Sequence, residues 1–74
     1  MMIGVSMPKP NQYVVKMINK HNTHFGQYYS GFMRWSEINE AVNYDDDYVE
    51  SNLSLNSSHE LLKVEQDGRL THIR

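Results

Sequence analysis

Histidines and a run of aspartates are the side chains in this sequence that could do chemistry. His21 and His24 are separated by two residues, which could begin a metal site, and Asp45, Asp46 and Asp47 form the densest charge cluster. A zinc site needs further ligands at set spacings, and no cysteine is present to supply them. The aspartates also lack the alternating ligands, central glycine and final glutamate of a calcium-binding loop. We therefore predict no metal site and no cofactor.

Catalysis by a nucleophile or by paired carboxylates has no support in the sequence. There is no Gly-x-Ser-x-Gly turn, no cysteine and no glycine-rich phosphate loop followed by Lys-Ser or Lys-Thr. Close carboxylates occur only at 45–47, where nothing predicts the apolar pocket that raises a carboxyl pKa for acid–base work. We predict that the chain is not an enzyme.

The aromatic run of residues 25–35 is the main indication of function. If the run is one extended strand, its side chains divide between two faces. The face expected to join the core carries Phe25, Tyr29, Met33 and Trp35. The face expected to bind a partner carries Tyr28, Phe32 and Arg34. A bend at Gly31 would exchange the two faces after that position, moving Phe32 inward and exposing Trp35.

Three interpretations of this run remain open. The aromatic side chains could simply fill the core of a small domain. Tyr28, Phe32 and Arg34 could form a protein-binding face, because Tyr and Arg are enriched among interface hot spots. Exposed rings flanked by Lys16, Lys20 and Arg34 could stack on the bases of a single strand. A net charge of −2 and the lack of a basic cluster make nucleic acid the less favoured partner.

The acidic cluster has a structural and a functional interpretation. Acidic residues commonly begin helices, where they complement the helix dipole. Alternatively, Asp45, Asp46 and Asp47 form a second docking surface, suited to a basic surface of another protein.

Length and composition limit the architecture to one thin domain. A chain of 74 residues buries only about 60–65% of the surface that it exposes when unfolded. Sharing apolar area in a homodimer is compatible with such a core. Residues 1–11 are predicted to be a flexible arm and residues 12–74 a single domain. No signal peptide or membrane-length apolar run is recognisable, so the expected location is the cytoplasm.

Alternation of apolar residues predicts the first hairpin, in which a strand over 13–20 pairs with the aromatic run through a polar loop at 21–24. Ser36 to Val42 suits a short helical turn. Asp47 stands three positions before Glu50, as in a capping box, and predicts a helix near 47–56 that packs through Val49 and Leu53.

The last hairpin is predicted from Asp67-Gly68, which suits a two-residue type I′ turn. That turn would pair Leu62 with Ile73 and direct Leu62, Val64 and Ile73 into the core. Leu61 and Leu70 would then fall on the opposite, largely polar face.

Together these elements predict an α+β fold, a small antiparallel sheet of about four strands in two hairpins with one main helix packed on one face. The order YVVKMI, GQYYSGFMRW, an acidic helix start and ELLKVEQDGRL resembles small phage-encoded α+β proteins, including anti-CRISPR and other anti-defence proteins. The resemblance implies a non-catalytic inhibitor or modulator that binds one host protein stoichiometrically in the host cytoplasm. It transfers no individual site residue.

Overall fold

A computed structural model describes residues 10–51 and 55–74 of the chain. Five strands form one antiparallel sheet in the order β3-β2-β1-β4-β5. The strands are β1 (Tyr13–Met17), β2 (Tyr28–Gly31), β3 (Arg34–Ser36), β4 (His59–Val64) and β5 (Leu70–His72). A single 3-10 turn, Ile38–Glu40, and a six-residue helix α1, Asp46–Ser51, complete the regular structure of these two segments.

The predicted α+β fold is wrong, because the chain is sheet-rich and has no main helix among its described residues. The aromatic run is two strands, β2 and β3, joined by a tight turn, and this makes five strands instead of about four. The helix expected near 47–56 is present as Asp46–Ser51, with Val49 buried as predicted. The expected packing of Leu53 lies outside the described residues.

The central pair of strands, β1 and β4, is buried on both faces of the sheet. Val14 lies opposite Leu62 on one face, and Val15 lies opposite Leu61 on the other. All four side chains are buried, and Val14 and Leu61 are completely so. A strand covered on both sides needs apolar residues at successive positions, which explains Val14-Val15 and Leu61-Leu62.

Each face carries its own small hydrophobic cluster. On the Val14 face, Val14, Ala41, Leu62 and Val64 are buried, with Tyr28 and Leu70 packed against them. On the Val15 face, Val15, Val49 and Leu61 are buried, and the partly buried residues packed around them are Tyr13, Tyr29, Trp35, Tyr44 and Leu55. Tyr29 and Trp35 therefore join the core as expected, whereas Phe25 is half exposed and Met33 almost wholly exposed.

Residues 41–44 connect the two clusters by passing beside the edge of β1. Ala41 packs on the Val14 face, and Tyr44 packs on the Val15 face. Tyr44 and Tyr13 form two backbone hydrogen bonds of 2.8 Å with each other. Tyr44 therefore pairs with the first residue of β1, whereas β2 pairs with β1 further along, at Lys16.

The C-terminal hairpin forms, but its register differs by one residue from the prediction. Leu62 pairs with His72 and Val64 with Leu70. The loop has three residues, 66–68, closed by the hydrogen bonds from Glu65 N to Arg69 O and from Gly68 N to Glu65 O. Of these three loop residues, only Gly68 has a positive φ, as in a type I turn followed by a left-handed glycine. The shift puts Leu70 on the buried face and leaves Ile73 partly exposed.

Residues 1–9 of the predicted arm lie outside the described residues. Asn11 follows Pro10 in a turn, and its backbone N donates to Val64 O at 2.8 Å. The backbone ladder between the start of β1 and the end of β4 thus extends to residue 11.

Candidate functional site

The turn between β2 and β3 presents two large apolar side chains to solvent. Gly31 pairs with Arg34, so Phe32 and Met33 are the two loop residues of the hairpin. Phe32 is 94% exposed and Met33 89% exposed. We call these two residues the hairpin tip.

Both tip residues have a left-handed backbone. The φ angles are 54° at Phe32 and 61° at Met33, the positive values that a type I′ turn requires at its two central positions. Asn and Gly are preferred there, because a larger side chain costs roughly 1–2 kcal/mol per residue in the left-handed region. The tip therefore combines an unfavourable backbone with unfavourable exposure, and neither is offset by packing of the two side chains.

The tip is held in place by the strands below it. Met33 N donates a hydrogen bond to the Tyr29 hydroxyl at 3.3 Å. The Tyr29 ring packs edge-on against Trp35 with 5.4 Å between the ring centroids, and both rings belong to the Val15 cluster. The position of the tip thus follows from the packing of the core.

A bulge and a crossing segment fix the base of this hairpin. Tyr29 pairs with Trp35 and Gly31 with Arg34, which leaves Ser30 as an extra residue on β2. Val42 N donates to Tyr29 O at 2.9 Å, and a Cβ added at Gly31 would lie 3.4 Å from Val42 Cγ2. The Ser30 hydroxyl is buried without a hydrogen-bond partner.

Of the three residues predicted on the partner-binding strand, Phe32 and Arg34 are exposed at the turn, whereas Tyr28 is not part of it. Tyr28 pairs with Lys16 on β1 and packs against the Val14 cluster. The Lys16 Nζ lies 5.8 Å from the centre of the Tyr28 ring. Burial first, and then the negative charges of Glu60 and Glu37, raise the pKa of the Tyr28 hydroxyl. Tyr28 has a structural position on the sheet.

The bend at Gly31 occurs, but its effect is not the exchange of faces considered from the sequence. Phe32 projects from the turn instead of moving inward, and Trp35 remains in the core. Sequence reasoning therefore missed Met33, which it placed in the core. The length of the aromatic run could have indicated the turn, since a strand of eleven residues would be about twice as long as the usual five or six.

The three aspartates of the acidic cluster differ in their contacts. Asp45 caps α1, because its Oδ1 accepts a hydrogen bond of 2.9 Å from Tyr48 N. Asp46 interacts with Tyr13, and hydrogen bonding to this carboxylate is the largest cause of the raised pKa of the Tyr13 hydroxyl. Asp47 is exposed and makes no hydrogen bond or ion pair within residues 10–51 and 55–74. Beside the cluster, the Tyr44 and Tyr48 rings stack with 5.0 Å between their centroids.

Replacing Asp45 by alanine is expected to lower the free energy of unfolding by about 1 kcal/mol, the usual effect of losing a helix cap. Asp47→Ala is the matched control and should change it by less than about 0.5 kcal/mol, because the Asp47 side chain is exposed and has no partner among residues 10–51 and 55–74. Urea unfolding followed by circular dichroism measures both. Equal effects of the two substitutions would show that Asp45 does not act as a cap.

No ion pair joins Arg34 to Asp45, Asp46 or Asp47 in the part of the chain that the structure describes. The tip and the acidic cluster are therefore two separate candidate surfaces.

The histidine pair lies in the turns after β1. Both residues are exposed, and His24 Nδ1 lies 3.0 Å from Gln27 Oε1. Across residues 10–51 and 55–74, no group of three or more His, Cys, Asp or Glu side chains is arranged to hold a metal ion. Nor do these segments contain a helix long and apolar enough to cross a membrane.

Comparison with protein-family models, with curated proteins and with solved structures finds no match to this chain. The assignment of a function must therefore start from the hairpin tip and the surfaces around it.

Proposed function

We propose that the chain is a non-catalytic protein-binding module that inserts its hairpin tip into an apolar pocket of a partner protein. The supporting observation is the tip itself, where Phe32 and Met33 are both exposed and both held in the left-handed region. Backbone strain at exposed positions tends to be retained where it serves function. An aromatic ring and a methionine are also suitable anchors, because the backbone that carries them is already ordered and the methionine side chain adapts to an irregular pocket.

Arg34 adds polarity to this contact. It is exposed beside the tip and shares a shallow surface groove with Ser30, Ser36 and Glu40. Arg is enriched at interface hot spots, where it forms planar pairs with carboxylates. We infer a partner pocket with an apolar floor and an acidic group at its rim.

The phage resemblance narrows this proposal to stoichiometric inhibition or modulation of a host defence protein. A protein pocket is favoured over a lipid surface, because two apolar side chains bury too little area for stable anchoring and the net charge of −2 disfavours anionic headgroups. A base-stacking sheet face is not favoured, since the Tyr28 ring packs against the Val14 cluster and Phe32 lies in a turn instead of on a strand.

Site-specific photocrosslinking tests the proposal. A photoreactive phenylalanine analogue at position 32 is expected to give one dominant protein adduct in an extract of the native host, identified by mass spectrometry. The same analogue at Phe25 is the matched control, since Phe25 is half exposed but lies in another loop. It should give little of that adduct, because a photoreactive side chain labels only the protein that it touches and position 25 lies outside the proposed contact.

Two results would contradict the proposal. One is equal labelling from positions 32 and 25, which would show that the tip is not a preferred contact. The other is tight binding of the unmodified chain to a single-stranded oligonucleotide with a steep dependence on salt, which would indicate a nucleic-acid-binding protein.

A further inference from the structure

A second concave surface lies between α1 and the C-terminal end of the sheet. This groove has a volume of about 230 Å³ and is lined by Tyr13, Asp46, Val49, Glu50, Ile73 and Arg74. It is smaller than the roughly 300–1,000 Å³ typical of small-molecule sites, so its size suits one or two side chains of a protein segment.

The groove has an apolar floor and a negative rim. Val49 is buried at its base, and Ile73 is 44% exposed. The carboxylates of Asp46 and Glu50 stand at its edge, and neither forms an ion pair within the described ranges. Arg74 is already engaged, because its Nη2 donates to Val49 O at 3.0 Å.

The negative charge of the groove affects the hydroxyl of Tyr13. Hydrogen bonding to Asp46, then burial, and then the charges of Asp46, Glu50 and Glu65 all raise the pKa of this hydroxyl. The groove should therefore favour a segment that carries apolar side chains next to a cation.

The hairpin tip of the same chain has this composition. Phe32 and Met33 are the two most exposed large apolar side chains in the described part of the chain, and Arg34 follows them directly. The tip is convex and carries the positive charge of Arg34, whereas the groove is concave and carries a net negative charge, because Asp46 and Glu50 outnumber Arg74. We propose that the groove is a docking site for the hairpin tip of a second copy of this chain.

This site is a different surface from the one used in the proposed function, and its test needs no foreign partner. If both interactions exist, a second copy and the foreign partner compete for the tip. Self-association would then cover the apolar tip in the absence of the foreign partner, and binding of that partner would dissociate the copies of the chain.

Sedimentation velocity between about 10 μM and 1 mM tests the docking, because contacts of this small size give weak association. The average mass of the wild-type chain is expected to rise with concentration. Phe32→Ala should remove the rise. Arg34→Glu and Glu50→Lys should each weaken association by about tenfold or more, since each juxtaposes like charges.

Combining Arg34→Glu with Glu50→Lys restores an opposite pair and should recover association to within about threefold of wild type, as expected for two directly coupled charges. Arg69→Glu is the matched control, because Arg69 is exposed and forms its ion pair with Asp67 in the C-terminal loop, away from the tip and the groove. It should leave association unchanged. A monomer at every concentration, a rise that persists in Phe32→Ala, or a double variant no better than the single ones would each overturn the proposal.

Discussion

Replacing the hairpin tip by Asn-Gly, through Phe32→Asn and Met33→Gly, is expected to stabilise the fold by about 2 kcal/mol. Glycine removes the left-handed cost of roughly 1–2 kcal/mol at position 33, and asparagine, which keeps a Cβ but forms local hydrogen bonds, removes about 1 kcal/mol at position 32. The greater freedom of glycine in the unfolded chain removes about 0.5–1 kcal/mol of this gain. Little packing is lost, because the two side chains are 94% and 89% exposed. For a domain of this size the midpoint of thermal unfolding should rise by about 8–16 °C.

Urea unfolding measures this effect as a higher midpoint with an unchanged slope. Phe25→Asn is the control, since it makes the same change at a half-exposed phenylalanine whose φ is not positive. About half of the Phe25 side chain is buried, so this control should lower the stability by about 1 kcal/mol, a change opposite in sign to that of the Asn-Gly variant. A lower midpoint for the Asn-Gly variant would mean that the wild-type tip stabilises the fold.

The same variant also separates function from stability. Under the proposed function, a more stable chain without Phe32 and Met33 should no longer capture the partner, because it has lost the inserted side chains. Opposite changes in stability and binding would rule out damage to the fold as the cause of lost binding.

Leu61→Ala is expected to have the largest destabilising effect, a loss of about 2–5 kcal/mol. Leu61 is completely buried and forms the Val15 cluster together with Val15 and Val49. Total stability for a chain of this length is on the order of 4–11 kcal/mol, so the substitution should remove a large share of it and lower the urea midpoint markedly.

Leu70→Ala provides the comparison, because Leu70 is only partly buried on the short edge strand β5. Its cost should be about 1 kcal/mol, in proportion to the smaller buried area. Circular dichroism at increasing urea ranks the two variants. Equal costs, or a larger cost for Leu70, would contradict burial of the central strands on both faces.

Local patterns predicted much of the backbone. Period-two alternation identified β1, Asp67-Gly68 identified the last hairpin, and the acidic residues before Val49 identified the start of a helix. Each of these signals depends on residues close together in sequence, where conformational preference and hydrogen bonding act directly.

The wrong predictions concern strand register and burial, which depend on contacts between residues that are distant in sequence. The dipeptide Asp67-Gly68 occurs both in two-residue loops and in three-residue loops that end with a left-handed glycine, and the difference of one residue moved Leu70 into the core in place of Ile73. Burial of Leu61 depends on Val49 and Val15, which are distant in sequence. The aspartates could be assigned to a helix start, but their separate contacts could not be predicted.

The candidate site was only partly predictable, because its turn lacks the local residue signals that identified the other elements. A tight turn normally has a compositional signature, and Phe32-Met33 contradicts it at both positions. Local preference and the observed fold disagree most strongly at this point, which is where functional constraints are expected to override foldability. Phe32 and Arg34 were selected from residue type and from alternation along a presumed single strand, whereas Met33 required the turn to be seen.

The central position of β1 also has a consequence for synthesis of the chain. β1 leaves the ribosome early, but its main partner, β4, begins only at His59. The β2–β3 and β4–β5 hairpins can form from neighbouring residues, whereas closure of β1 against β4 requires synthesis through residue 64 and the ordering of a long intervening segment. Until that closure, Val14-Val15 and Leu61-Leu62 remain uncovered, so a nascent or truncated chain that lacks β4 exposes an unpaired apolar strand that invites aggregation.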